Sequence, residues 1–158
     1  MTLKSTEFNN KFMLHALKEA KKAYLEEEIP VGCVIVERFS GKIISRAYNM
    51  MQQEKNANLH AEIIAINTAC KKIDSKNLSN CDIYITLEPC TMCASAISNA
   101  RLGRLYYGAA DIKQGAVENG VRFFTANSCF YKPEIYSGIY SAESEEIIKN
   151  FFVKLRKN

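Results

Sequence analysis

DIYITLEPCTMCASAISNARLGRLYY, running from Asp82 to Tyr107, holds a strand, a helix and a second strand in immediate succession. Asp82 to Leu87 reads as the first strand, Thr91 to about Ala100 as the helix and Leu105 to Tyr107 as the second strand. Another helix, from about His60 to Lys72, comes before them. Helices and strands alternating at this spacing imply parallel strands joined by right-handed helical crossovers, and so an α/β fold.

Working outward toward the N-terminus, Phe8, Phe12, Ala16 and Ala20, joined by Met13, Leu17 and Tyr24, recur every three or four residues. They mark one apolar helix face against Lys18, Lys21 and Lys22, on a helix from about Glu7 to Glu27. Pro30 then opens an unbroken apolar run, Val31 to Val36, of the length and β-branching expected of a strand buried on both faces. Arg38 to Lys42 reads as a turn, Ile43 to Tyr48 as the second strand of a hairpin, and Asn49 to Asn58 as a loop leading to His60.

Toward the C-terminus, Ala109 to Lys132 reads mostly as loop and Pro133 to Ile139 as a fifth strand. Ser141 is expected to cap a last helix whose acidic residues Glu143, Glu145 and Glu146 come early and whose basic residues Lys154, Arg156 and Lys157 come late, as the helix dipole favours. With no internal repeat or linker, residues 1–158 are expected to form one domain, a three-layer α/β/α sandwich around a five-stranded mixed sheet.

A chain of 158 residues with 47% hydrophobic and 24% charged residues suits an ordinary globular domain and excludes the low-hydrophobicity signature of disorder. No apolar run approaches the roughly 20 residues a membrane span requires, and the polar start Met1 to Glu7 lacks a secretory apolar segment, so a cytoplasmic location without membrane association is expected. Six cysteines are then expected to stay reduced. A net charge of +4 suits an anionic partner without requiring one.

The residues that bear chemistry are His60-Ala61-Glu62 and Pro89-Cys90-Thr91-Met92-Cys93, each half at the start of an expected helix. One neutral imidazole and two thiolates suit Zn²⁺, and three protein ligands leave a fourth tetrahedral position for water, as in a catalytic site. Helix N-termini favour the thiolate form of Cys90 and Cys93. Glu62 is expected not to be a ligand but to relay protons, because zinc lowers the pKa of bound water to about 7 and a hydrolysis needs a separate carboxylate beside it. A structural zinc would need a fourth ligand. Cys81 is a poor candidate, since a strand of about six residues at roughly 3.3 Å each sets it on the order of 20 Å away. Cys129 stays open on this ground, while Cys33 and Cys70 look like small core residues.

The paired His-x-Glu and Pro-Cys-x-x-Cys motifs resemble those of the cytidine deaminase-like superfamily. More narrowly, Ile29-Pro30-Val31-Gly32, Tyr48-Asn49, His60-Ala61-Glu62, Thr86 to Ala94, Arg101 to Arg104 and Tyr107 to Asp111 resemble bacterial tRNA-specific adenosine deaminase, colinearly from the first helix to the last. The resemblance implies conversion of adenosine to inosine at wobble position 34 of tRNA, with one zinc ion per chain, no organic cofactor, the tRNA anticodon stem-loop as partner and a homodimeric assembly. It also implies that Asn49 hydrogen-bonds the flipped base, that Val31 and Leu87 wall its pocket, that the Ala61 backbone touches its edge and that Asp111 lies near the ribose. Anticodon-loop bases are already unpaired, which lowers the energy needed to flip one out.

The chain departs from that family's pattern at Asn58-Leu59 and from Gly115 to Lys132. In the second stretch, Val117, Glu118 and the aromatic cluster Phe123, Phe124, Phe130 and Tyr131 either dock tRNA or pack internally, and packing is the more common fate of aromatic residues. Arg101, Arg104, Lys149, Lys154, Arg156 and Lys157 are candidates for phosphate contact or for plain solvated surface. Two rival functions stand beside the first. One is a deaminase of a free base, nucleoside or nucleotide, such as guanine, cytosine or deoxycytidylate. The other is a non-enzymatic RNA-binding protein with a structural zinc.

Overall fold

The computed structural model describes residues 2–158, with side chains described from Asn10 onward. The elements in order are α1 (Thr2–Leu25), β1 (Gly32–Glu37), β2 (Ile43–Tyr48), α2 (Ala61–Ile73), β3 (Cys81–Leu87), α3 (Thr91–Ala100), β4 (Arg104–Ala109), a 3-10 turn (Phe123–Thr125), β5 (Glu134–Tyr136) and α4 (Ser141–Lys157). The five strands form one sheet in the order β2-β1-β3-β4-β5. β1 pairs antiparallel with both β2 and β3, whereas β3, β4 and β5 run parallel. The sheet is therefore mixed, as the hairpin followed by helical crossovers implied.

The two-residue period of a strand divides the core into two layers. Cys33 and Ile35 of β1, with Ile83 and Ile85 of β3, face Ala65 and Ala69 of α2 and Ala94 and Ile97 of α3. Val34 and Val36, with Tyr84 and Tyr106, face Phe12, Met13 and Ala16 of α1. The uninterrupted apolar run of β1 is thus explained by burial on both faces. α4 lies over β4 and against α1, where Phe151 meets the Tyr24 ring edge-on at 6.2 Å.

Small residues set how closely α1 approaches the sheet. A Cβ on Gly32 would overlap the Ala16 carbonyl oxygen and stand 2.5 Å from the Ala20 nitrogen, and both alanines are fully buried. Because the obstacles are backbone atoms of a helix, no side-chain rotation relieves them.

Several boundaries differ from the sequence-based expectation. α1 begins at Thr2 rather than Glu7 and ends at Leu25, because Glu27 adopts a left-handed φ of 61° that stops the helix. The side chain of Phe8 lies outside the described residues. β5 spans three residues rather than Pro133 to Ile139, since Gly138 turns the chain away with a φ of 78°. Ser141 does not cap α4: it is the first helical residue, and Tyr140, in a left-handed conformation with no side-chain cap bond, occupies the cap position. Tyr140 packs against the α1-side core, so tertiary packing decides where this helix starts. Between Ala109 and Lys132 the chain is largely irregular, as expected, but it is not all surface. Val117 and Phe124 are buried in the α2/α3-side core, with Phe123 and Cys129 packed against it, whereas Phe130 is exposed with the Arg101 guanidinium 5.6 Å from its ring.

Gly32→Ala is expected to destabilise the protein by about 3 kcal/mol, the upper end of overpacking costs, measured by urea denaturation; a neutral effect would show that α1 does not seat on β1 as described.

Candidate active site and metal centre

α2 and α3 begin beside each other. His60 and Cys90 occupy their N-cap positions with extended backbone, and neither side chain makes the usual capping bond to its own helix. The two side chains meet instead. The Sγ of Cys90 lies 3.6 Å and that of Cys93, in the first turn of α3, lies 3.5 Å from Nδ1 of His60. All three donor atoms fall within 4.8 Å of one another, and they form the one group of three or more potential metal ligands among the described residues.

The first free amide of α2 is satisfied by Asn49, the residue that follows β2. Asn49 Oδ1 accepts the Ala61 N–H at 2.8 Å, and its Nδ2 donates to the Ile29 carbonyl at 3.0 Å. One buried amide side chain thereby ties the segment before β1, the end of β2 and the start of α2 together.

These donors fit zinc. With Zn–S near 2.3 Å and Zn–N near 2.0 Å, the edges of a tetrahedron are about 3.5 to 3.8 Å long, and both measured sulfur–nitrogen separations lie in that range. The electrostatics agree. A hydrogen bond from the Cys93 thiol, aided by His60, pulls the Cys90 pKa down to about 4 despite burial. Its partnership with Cys90, and burial, push the Cys93 pKa up, while the bond to Cys90 raises that of His60. A cation held by the three donors would take the place of the protons they share. Neither remaining candidate for a fourth ligand joins the cluster: Cys81 is buried at the start of β3, and Cys129 donates to the Tyr131 carbonyl at 3.1 Å.

Glu62, in the first turn of α2, is 4% exposed and hydrogen-bonded with the Cys93 thiol, and burial raises its pKa. It lines a cleft of about 850 Å³ together with His60 and Cys90. Of the other residues singled out in the sequence, Val31, Asn49, Leu87 and Asp111 line the same cleft, while Ala61 does not, its N–H being already bonded to Asn49.

Three features of the cleft escaped sequence reasoning. Met51 and the residues that follow Asp111, Ile112 to Gln114, line it, and α4 adds Ile148 and Phe152 beside Lys149 and Arg156, the two basic residues that the sequence offered for phosphate contact. Phe152 and Leu155 are 39% and 56% exposed, so the aromatic surface beside the metal cluster comes from α4 and not from the Phe123–Tyr131 cluster. Two buried carboxylates hold the rim, and one of them, Glu88, also lines the cleft. Glu28 accepts the backbone N–H groups of Gln52 and Gln53 at 2.8 to 3.0 Å, and Glu88 binds the segment after β4. A charged residue inside an otherwise apolar motif, as in Thr86-Leu87-Glu88-Pro89, is the only sequence signal of such a role.

A profile described as the cytidine and deoxycytidylate deaminase zinc-binding region matches residues 6–109. The tRNA-specific adenosine deaminase of Rickettsia bellii is 56% identical over 91% of this chain and 99% of its own. A solved structure from a study of A-to-I editing by tRNA:A34 deaminases at the wobble position of transfer RNA superimposes with a TM-score of 0.83 at 48% identity, covering 87% of this chain and 98% of that one. A guanine deaminase from Nitrosomonas europaea shares the fold with a TM-score of 0.77 over 89% of this chain and 82% of its own, at only 19% identity. Three donors spaced for one zinc ion, a buried carboxylate beside them and identity above half to a relative of nearly equal length lead to one assignment: the chain belongs to the tRNA-specific adenosine deaminases, within the cytidine and deoxycytidylate deaminase zinc-binding family.

Proposed function

We propose that this protein hydrolyses adenosine to inosine at wobble position 34 of tRNA, acting on the anticodon stem-loop in the cytoplasm as a homodimer with one zinc ion per chain. The observation that carries the proposal is the placement of Glu62, buried in the cleft beside a three-ligand cluster and outside it. His60, Cys90 and Cys93 would hold the metal, which when bound supplies Lewis-acid activation of water.

The remaining steps belong to the chain's own groups. Glu62 takes a proton from the attacking water, delivers it to the ring nitrogen next to the amine-bearing carbon, and carries a second proton to the departing ammonia. Burial suits it to this task, because a carboxylate held in apolar surroundings takes up a proton more readily and can hand it on. Asn49 is held by two hydrogen bonds yet keeps a second amide N–H and a second carbonyl lone pair for a base edge. Val31 and Leu87 would wall the base, Asp111 would stand by the ribose, and Ala61 would act through Asn49.

A stem-loop also needs contacts beyond the base. Of the six basic residues considered, Lys149 and Arg156 line the cleft and Lys157 does not. Arg104 is engaged with Glu134 at 3.1 Å, Arg101 sits on Phe130, and Lys154 lies 5.1 Å from the Tyr24 ring centre. Phosphate contact is thereby assigned to Lys149 and Arg156, with Phe152 available for stacking. Deamination of a free base by a related enzyme is less well supported, because the guanine deaminase structures are 19% and 29% identical to this chain, against 48% for the tRNA:A34 deaminase structure.

Offered an adenosine-34 stem-loop beside free nucleosides and bases, the protein is expected to release ammonia from the RNA; release from the small substrates alone would overturn the proposal. Glu62→Ala should keep about one zinc per chain while turnover falls by at least about 10²- to 10⁴-fold, and loss of zinc in that variant would contradict its role. Cys90→Ser and Cys93→Ser should instead lose zinc and melt at lower temperature, because metal binding and folding are coupled; full retention of zinc would mean the ligands are elsewhere. Asn49→Ala should retain zinc and lose base selection, and unchanged kinetics on the stem-loop would remove it from the site.

A further inference from the structure

Glu88 is 2% exposed and gathers five hydrogen bonds on one carboxylate. Its Oε1 accepts the Asp111 N–H at 3.0 Å and the Asn119 side-chain amide at 2.7 Å. Its Oε2 accepts the N–H groups of Val117 and Glu118 at 3.0 Å and of Asn119 at 3.1 Å. Every donor belongs to the segment Asp111–Asn119, and the first four residues of that segment, Asp111 to Gln114, form part of the cleft rim.

The attachment is continuous with the metal cluster. Gly115 forms an antiparallel bridge with Cys90, and the Ala116 N–H donates to the Pro89 carbonyl at 2.9 Å. The fit leaves no room for a side chain at Gly115, where a Cβ would overlap the Asp111 carbonyl oxygen and stand 2.6 Å from Glu88 Cδ. Asp111 continues the chain of support by accepting the Lys113 and Gln114 N–H groups on its Oδ1 at 3.1 Å.

From this geometry we infer that Glu88 is the positioning residue for the outer wall of the cleft: by holding Asp111–Asn119 at a set distance from Cys90, it governs the binding of the target nucleotide rather than the chemistry at the metal. The inference rests on the proposed deaminase function for the identity of the nucleotide, but not for the attachment of the wall.

Glu88→Gln keeps the size of the side chain but turns an amide NH2 toward a set of N–H donors. Hydrogen bonds to a charged group of this kind correspond to about 10- to 100-fold in an equilibrium constant. The variant is expected to retain about one zinc per chain, to exchange the amide hydrogens of Asp111, Val117, Glu118 and Asn119 about 10- to 100-fold faster, and to raise KM for the adenosine-34 stem-loop by a similar factor with kcat within a few-fold. Unchanged exchange in the segment, or a fall in kcat at unchanged KM, would overturn the inference. Asn119→Ala, which removes a single donor remote from the metal ligands, provides the same test if Glu88→Gln does not fold. It should move exchange and KM in the same direction by about 10-fold, and no change in either would count against Glu88. A wild-type protein inactive on the stem-loop would defeat the functional proposal alone, because the exchange measurement still decides whether Glu88 holds the wall.

Discussion

Two helices that start at the same point in space are the constraint from which the rest follows. His60 and Cys90 occupy the N-cap positions of α2 and α3 and give up the capping bonds those positions normally make, so that imidazole and thiolate face each other with Cys93 one turn further on. The cost of an uncapped helix start is offset for α2 by Asn49, which accepts the Ala61 N–H and is itself anchored to Ile29. A residue expected to read the substrate therefore also completes the helix that presents the histidine.

The sheet exists in the right form to bring those helix starts together. β3 and β4 are parallel, so the chain must return over one face through α3, and β1 lies antiparallel to β3 with its N-terminal end beside the C-terminal end of β3. Val31, just before β1, and Leu87, at the end of β3, consequently line the cleft beside the cluster. Gly32 lets α1 press on the opposite face with Ala16 and Ala20, which leaves the α2/α3 side as the layer that carries the metal ligands.

Much of this was legible in the sequence, and the reasons are local. The bounds of β2 and α3 follow from turn residues and apolar periodicity, and the metal cluster follows from residue types whose chemistry is narrow. What was not legible depends on tertiary contact. Ser141 has the chemistry of a cap, yet the packing of Tyr140 moves the helix start past it. Internal packing, the favoured reading of the aromatic cluster, holds for Phe124 and for Val117, but nothing local in the sequence separates them from Phe130, which stays exposed. Of the α4 wall the sequence offered only the basic residues Lys149 and Arg156, and the carboxylates Glu28 and Glu88 leave almost no trace, because a glutamate that binds backbone N–H groups leaves no partner side chain to find in the sequence.

His60, Cys90 and Cys93 are expected to hold the metal alone, with one position left for water. X-ray absorption at the zinc edge of the purified protein tests it directly. Two sulfur neighbours near about 2.3 Å with nitrogen and oxygen neighbours near about 2.0 to 2.1 Å are the expected result; a third sulfur would show that Cys81 or Cys129 closes the site and would contradict an open, hydrolytic metal centre.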